Sequence, residues 1–322
     1  MKKKDFDIDK SIRPSSFDRF IGQNNFVGQL KIFIAGAKGR NEVLDHCLFS
    51  GPPGLGKTTL ANILANSMGG EFIATTANIL EEPKDIYKLL AHNKPFILFI
   101  DEIHRLKKQI EEVLYKAMED RKVDVRYGSG RIIELKIPAF TLIGATTRAG
   151  MLSQPLRERF QIKHIFETYS PAEISVILRN SAEVMGYKFE SGVEYLSGVC
   201  RGTPRIANNL LRRIRDFLDS KVITEPIIKK ALDILEIDKI GLTKSDRKIL
   251  EYLATCDVPV GLKNLAVILN EEPETIEEVI EPYLVKIGFI KRTSRGRVIT
   301  QEAISHLGLE LNEKILKNLG II

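Results

Sequence analysis

Between residues 20 and 168, short apolar runs alternate with segments whose apolar positions recur near every 3.6 residues. The runs fall at 47–50, 71–75, 96–100, 140–145 and 163–167, each the length of one buried strand. Amphipathic helices are predicted between them, for example at 85–92 and 109–121. Strands that read as continuous apolar runs, separated by helices, predict a parallel five-stranded sheet covered by helices on both faces. One stretch breaks the alternation. Val123-Asp124-Val125, a Gly128-Ser129-Gly130 turn and Ile132 to Ile137 predict a β-hairpin inserted at 123–139.

From Pro171 onward the pattern is helical, with segments at 171–185, 190–199, 203–219 and 224–236. In 203–219, Ile206, Leu210, Ile214 and Phe217 form one stripe. A third unit starts near Leu242: helices at 244–255, 261–269 and 274–287, then two short strands around Thr293-Ser294-Arg295-Gly296-Arg297. Three helices followed by a basic two-stranded hairpin have the outline of a winged helix. The expected domains are therefore 1–169 (sheet domain with the hairpin insertion), 170–239 (helical lid) and 240–322 (winged helix). This agrees with a 322-residue chain at roughly 100–200 residues per domain.

Composition narrows the class. No run approaches the ~18–20 apolar residues of a membrane span. The first residues, Met1-Lys2-Lys3-Lys4-Asp5, lack the apolar core of a signal peptide. Cys47, Cys200 and Cys256 are far apart and show no metal-ligand spacing, as expected of buried thiols in a reducing cytoplasm. The net charge of +6 is compatible with an anionic partner. Its distribution says more. Residues 271–281 hold six acids and no base, whereas 286–297 hold five bases and no acid.

Chemistry enters at Gly51-Pro52-Pro53-Gly54-Leu55-Gly56-Lys57-Thr58-Thr59, which fits G-x-x-x-x-G-K-[S/T] without a mismatch. The apolar Cys47-Leu48-Phe49 precedes it, and a helical pattern with Leu60, Ile63 and Leu64 on one face follows. A glycine-rich surface turn would not carry both flanks. Such a loop turns backbone N–H groups toward a triphosphate at a helix N-terminus. Lys57 would reach the β- and γ-phosphates, and Thr58 would hold Mg²⁺.

Phe96-Ile97-Leu98-Phe99-Ile100 ends in Asp101-Glu102, placing two carboxylates at the C-terminal edge of a buried strand, where α/β sheets bind ligands. Asp101 would coordinate Mg²⁺, and Glu102 would orient the attacking water. The next strand ends in Thr146-Thr147, either of which could bond the γ-phosphate or that water. Pro155-Leu156-Arg157-Glu158-Arg159-Phe160 presents two arginines, and an exposed arginine near a subunit boundary can supply transition-state charge in trans. Arg201-Gly202-Thr203-Pro204-Arg205 opens a helix, with Thr203 as N-cap and Pro204 at N1. A cation in a first turn opposes the helix dipole, so Arg205 is easier to explain facing an anion such as a γ-phosphate.

With these motifs in order, the chain resembles the AAA+ ATPases, and among them the RuvB family of Holliday-junction branch-migration motors. The resemblance covers about residues 10–310. It rests on Ile12-Arg13-Pro14, Phe20-Ile21-Gly22-Gln23, Leu55 in the phosphate loop, Ile100-Asp101-Glu102-Ile103-His104-Arg105, Gly144-Ala145-Thr146-Thr147-Arg148, the 155–160 and 201–205 segments, and Arg292-Thr293-Ser294-Arg295-Gly296-Arg297. It implies that Ile12, Arg13 and Tyr169 contact the adenine side of ATP. Gly54, Lys57, Thr58 and Thr59 would hold the phosphates, with Thr58 and Asp101 on Mg²⁺. Glu119, Asp120 and Arg121 would form a further nucleotide-contacting segment. Thr146 would be the first sensor, Arg159 the finger reaching a neighbour's ATP, and Arg205 the second sensor. Arg292 and Arg297, with Arg295, would meet DNA phosphates.

The implied activity is ATP-driven migration of Holliday junctions in recombination and repair. The implied assembly is a hexameric ring working with RuvA, docked through the 123–139 hairpin, and with the resolvase RuvC. Two features depart from the family pattern: the hairpin turn Tyr127-Gly128-Ser129-Gly130-Arg131 is short, and Ser294 stands where proline is common. Three other readings are weaker. A DExH-box helicase would carry two sheet domains, a clamp-loader-type ATPase would end in a helical oligomerisation domain, and an ATPase-linked transcription regulator would have no finger arginine.

Overall fold

A computed structural model describes residues 11–127 and 131–309. The five predicted strands are β1 (Cys47–Ser50), β2 (Glu71–Thr76), β3 (Phe96–Asp101), β6 (Phe140–Thr146) and β7 (Ile162–Ile165), with the inserted hairpin formed by β4 (Lys122–Tyr127) and β5 (Arg131–Lys136). The sheet order is β2-β3-β6-β1-β7, and every pairing is parallel. Burial explains which strands the sequence shows most clearly. In β3, β6 and β1 all but the last residue of β3 and of β1 is buried, so each reads as a mainly apolar run, with Thr141 of β6 buried beside its acceptor, the Leu44 carbonyl. The edge strands β2 and β7 are mixed.

This order sets the site. The C-terminal ends of β3, β6 and β1 lie side by side, with Ser50 opposite Thr146 and Ile100 opposite Gly144. The helix α1 (Asn24–Gly39) precedes β1, and α2 (Lys57–Met68), α3 (Pro83–Leu90), α4 (Lys108–Asp120) and α5 (Gln154–Glu158) lie in the connections between strands. Leu98, Ile100, Ile103, Ile110, Leu114, Leu142 and Phe160 belong to one buried cluster. Within it, Phe96 and Phe140 stack with centroids 5.3 Å apart.

The hairpin pairs Val123 with Leu135 and Val125 with Ile133. Tyr87 Oη donates to the Asp124 carbonyl at 2.8 Å, and Lys116 pairs with the Asp124 carboxylate. Ile132, Ile133 and Leu135 remain exposed. The predicted turn residues 128–130 lie outside the described residues.

The chain divides into two compact units: the described residues up to Tyr187 with Thr203–Asn208, and Lys188–Gly202 with the described residues from Asn209. In the first, α6 (Pro171–Val184) starts at a capping box between Ser170 and Glu173. In the second lie α7 (Val193–Val199), α9 (Glu225–Ile234) and a short parallel pair, β8 (Lys188–Phe189) with β9 (Val222–Ile223). The helix α8 (Pro204–Arg215) runs across the division.

The second unit also holds the winged helix. Its elements are α10 (Lys244–Ala254), α11 (Leu262–Leu269), a helix α12 in three consecutive pieces (Pro273–Thr275, a π turn Ile276–Ile280, Glu281–Lys286), β10 (Ile290–Thr293), β11 (Gly296–Ile299) and α13 (Gln301–Leu307). Arg297 and Val260 exchange both backbone hydrogen bonds, at 2.8 and 2.9 Å, adding a bridge beside the wing. Among the described residues, no helix is long and apolar enough to cross a membrane.

Candidate nucleotide site and basic wing

The loop between β1 and α2 is shaped by glycines that no other residue replaces easily. Gly54 has φ +81°, and a Cβ there would lie 2.9 Å from both the Arg205 and Thr203 side chains. Gly56, at φ +98°, is the N-cap of α2 and brings no side-chain acceptor to the helix start. The first N–H groups of α2 are therefore available to an anion. Lys57 is buried, and its Nζ donates to the carbonyls of Gly51 and Pro52 at 2.8 Å each. Burial lowers its pKa, while the nearby Glu102 and Asp101 charges act to raise it. These features fit a triphosphate, whose oxygens would replace the two carbonyls as acceptors for Lys57.

Tyr169 closes one side of the loop. Its hydroxyl donates to the Leu55 carbonyl at 3.0 Å, and burial pushes its pKa up. A Cβ on Gly22 would come within 2.5 Å of the Tyr169 ring, and Phe20 lies against Gly56. The segment after Pro14 thus packs on the phosphate loop. Ile12 is half-buried and Arg13 exposed.

At the neighbouring strand ends, Asp101 Oδ1 accepts from the Glu102 N–H at 3.1 Å. Glu102 has φ +49°, a left-handed conformation uncommon outside glycine. Its carboxylate meets two other groups: Oε2 lies 3.2 Å from His104 Nδ1 and 3.4 Å from Thr147 Oγ1. His104 Nδ1 is also 2.8 Å from Thr146 Oγ1. The same ring nitrogen thus faces both the Glu102 carboxylate and the buried Thr146 hydroxyl, placing the imidazole between them. Thr146 Oγ1 in turn accepts from the Arg148 N–H at 2.9 Å. Thr58 and Asp101 are oxygen donors of the kind Mg²⁺ takes alongside water and phosphate. Among the described residues, no group of three His, Cys, Asp or Glu side chains could hold a metal alone.

The arginines separate by position. The Arg205 N–H donates to the Gly54 carbonyl at 3.4 Å, placing the start of α8 at the phosphate loop. Arg159 follows α5, and its Nη2 donates to Glu119 Oε2 near the end of α4. Its Nε is buried with no hydrogen-bond partner. Glu119 therefore joins Arg159, while Asp120 and Arg121 are exposed at the same helix end.

In the wing, Arg292 and Arg297 are cross-strand neighbours, and both turn to Glu281 of α12. Arg292 Nε and Arg297 Nε each lie 2.9 Å from Glu281 Oε1, and Arg297 Nη2 lies 3.0 Å from Oε2. The Glu281 side chain is 2% exposed, that of Arg297 15% and that of Arg292 47%. Arg295 sits exposed in the turn, and Lys291 is exposed on the opposite face of β10.

Three family models match consecutive stretches of the chain: the Holliday junction DNA helicase RuvB P-loop domain over residues 12–166, the RuvB AAA lid domain over 169–238 and the RuvB C-terminal winged helix domain over 239–308. The chain belongs to the RuvB family. It is 46% identical over 317 residues to the Holliday junction branch migration complex subunit RuvB of Ligilactobacillus salivarius, covering 95% of this chain and 94% of that one. Among solved structures it resembles the Thermotoga maritima RuvB Holliday junction branch migration motor, with a TM-score of 0.86 and 42% identity, covering 94% of this chain and 100% of that one. A mutant of the same Thermotoga protein matches with a TM-score of 0.84 at 41% identity, covering 94% and 99%.

Within this RuvB-family chain, the structure brings Lys57, Thr58, Asp101, Glu102, Thr146, Tyr169 and Arg205 into the first compact unit around one loop and three strand ends. Two residues acquire a place that sequence reading did not give them. His104 stood in a quoted motif with no role, although its position two residues after Glu102 is the signal. Glu281 was counted in an acidic run, and nothing local shows that it folds against arginines 11 and 16 residues onward.

Proposed function

We propose that this RuvB-family chain is an ATP-driven motor that migrates Holliday junctions, hydrolysing ATP at the phosphate loop and holding DNA through its wing. The observation that carries the reading is the alignment of three adjacent strand ends. They bring the phosphate loop, Asp101-Glu102 and Thr146 together in a chain that also carries a basic winged helix. The winged-helix match at the C-terminus favours this over a clamp-loader-like ATPase, which would end in a helical oligomerisation domain.

In this account the α2 N-terminus and Lys57 bind the phosphates, and Thr58 and Asp101 would hold Mg²⁺, which would supply neutralisation of phosphate charge. Glu102 orients the attacking water, with His104 and Thr147 fixing its carboxylate. Thr146 reports on the γ-phosphate through the same imidazole. Arg205 approaches the phosphates from the start of α8. Arg159 completes the site of an adjacent copy in a hexameric ring, which requires it to exchange Glu119 for a neighbour's phosphate. Ile12, Arg13 and Tyr169 line the adenine side.

The outward cations of the wing, Lys291 and Arg295 with the half-exposed Arg292, meet DNA phosphates, and Arg297 sets their position through Glu281. Phosphate contacts carry no sequence information, so binding is sequence-indifferent and weakens with salt. The exposed Ile132, Ile133 and Leu135 of the hairpin suit docking of RuvA, and RuvC would act on the same junction in the cytoplasm. The test is ATP hydrolysis by Lys57→Ala. Loss of turnover with the fold intact is expected, and wild-type turnover would place the chemistry elsewhere.

A further inference from the structure

The segment Arg201–Arg205 is held at both ends. At one end, Thr203 and Arg205 lie against Gly54 of the phosphate loop, within the first compact unit. At the other end, Arg201 is fixed within the second unit, and its contacts are unusually complete. Its Nε donates to the Gly241 carbonyl at 2.8 Å, and Nη2 reaches the same oxygen. Its Nη1 lies 3.5 Å from Asp246 Oδ1, and Nη2 bonds Oδ2. The guanidinium stacks over the Tyr283 ring at 4.5 Å. The side chain is 11% exposed and that of Asp246 is 2%.

These partners span the winged helix. Gly241 lies in the connection from the lid, Asp246 caps α10 by accepting from the Thr243 N–H and hydroxyl at 2.7 and 2.6 Å, and Tyr283 lies on α12. Tyr283 also donates to the Ile240 carbonyl. Gly241 has φ +85°, and a Cβ there would fall 2.3 Å from the Val199 carbonyl oxygen, so the connection packs directly on the end of α7. Arg201 itself has φ +55°, a conformation that an L-residue adopts only when its surroundings dictate it.

Stability alone does not account for this arrangement. A buried ion pair is often replaced by apolar side chains without loss of stability. What it supplies that apolar packing does not is a fixed direction. A planar guanidinium with a fork onto one carboxylate, a shared carbonyl and an aromatic face has one orientation. Three residues separate this anchor from Arg205.

We propose that Arg201 is a positioning residue for energy coupling. It fixes the start of the 201–205 segment in one orientation on the winged helix, so that a change at Arg205 is followed along the chain instead of being lost where the segment begins. The proposal rests on the motor reading above. It predicts that loosening Arg201 separates hydrolysis from DNA movement without removing either binding site.

The experiment measures junctions migrated per ATP hydrolysed, with basal ATPase and thermal melting in parallel, for the full chain and for Arg201→Ala, Arg201→Lys and Tyr283→Leu. The expected result for Arg201→Ala is basal ATPase close to wild type and a migration-to-hydrolysis ratio lowered about fivefold or more, the scale of a coupling between sites. Arg201→Lys, which keeps the charge but loses the fork, should recover part of the ratio. If Arg201→Ala does not melt cooperatively, Tyr283→Leu decides, since it leaves the ion pair and removes the stacking that orients it. An unchanged ratio in the folded variants overturns the proposal. So does a parallel fall of both activities at constant ratio, which is what a purely structural staple would give. A wild-type chain that hydrolyses ATP but migrates no junction would refute the motor reading instead.

Discussion

Replacing Glu281 by glutamine tests how the wing is held. The wild-type carboxylate accepts three charge-assisted hydrogen bonds, at 2.9, 2.9 and 3.0 Å. The two arginines do not weigh equally. With 47% of its side chain exposed, Arg292 is screened, and an exposed pair contributes about 0–1 kcal/mol. At 15% exposure, the Arg297 contact is a buried pair, and removing one partner of such a pair costs about 3–5 kcal/mol. Glutamine keeps the volume and one carbonyl acceptor, recovering roughly 1 kcal/mol. The expected loss is about 2–4 kcal/mol, concentrated in β10, β11 and the Val260 bridge. Native-state amide exchange reads this locally. The Arg297 and Val260 amides, which bond each other's carbonyls, should exchange roughly 30- to 700-fold faster at 1.4 kcal/mol per tenfold. Amides of β3 and β6 should be unaffected. Replacing Glu281 and Arg297 together by methionine should restore most of the protection, because no buried charge is then left alone. Exchange within about threefold of wild type in Glu281→Gln would mean that the buried pair contributes little, and the argument for Arg297 as a positioning residue would fail.

Arg159→Ala should keep ATP binding and lose turnover, and mixing it with Lys57→Ala subunits should restore part of the ATPase; no recovery on mixing would argue against action in trans. His104→Phe keeps an aromatic ring and removes the nitrogen that lies between Glu102 and Thr146, so kcat should fall about tenfold or more with KM for ATP little changed; kcat within twofold of wild type would sink the linkage. His46, whose Nδ1 accepts from the Leu142 N–H at 2.9 Å, has a pKa lowered to about 4, chiefly by burial. Its unfolded value is about 6.5, so the unfolded chain binds the extra proton between those values. Stability should therefore fall as pH drops from about 6.5 to 4, by up to about 3 kcal/mol from this group. His46→Gln should flatten that part of the profile, and an unchanged slope would assign it to other groups.

The sheet was legible because β3, β6 and β1 are buried almost throughout, which leaves mainly apolar runs in the sequence. The edges were less so. The last strand was expected at 163–167 and is observed at Ile162–Ile165, because an edge strand is only partly buried and its limits are not marked by apolarity. The pair β8 and β9 escaped notice, since two residues are too few to show a period of two. The phosphate loop was legible because its backbone demands glycine at set positions, and Gly54 and Gly56 both have positive φ. The lid helix expected at 190–199 begins only at Val193, after Gly192 as N-cap with φ +80°. Contacts between residues distant in sequence were the least legible. The acids of 271–281 read only as one pole of a polarised C-terminal third; Glu271, Glu272 and Glu274 are exposed, but Glu281 is buried beneath the wing. Likewise Arg201 read as the flank of a helix start, and only the fold brings it to Asp246 and Tyr283.

The central claim is that this active site drives DNA through a junction, and one assay addresses it most directly. A synthetic four-way junction is incubated with RuvA and the chain, either wild type or Glu102→Gln, with and without ATP, and the separated duplex products are quantified over time. The account predicts products only for wild type with ATP, while Glu102→Gln binds ATP and the junction but yields none. Products formed equally by Glu102→Gln, or none from a wild-type chain that hydrolyses ATP, would contradict it.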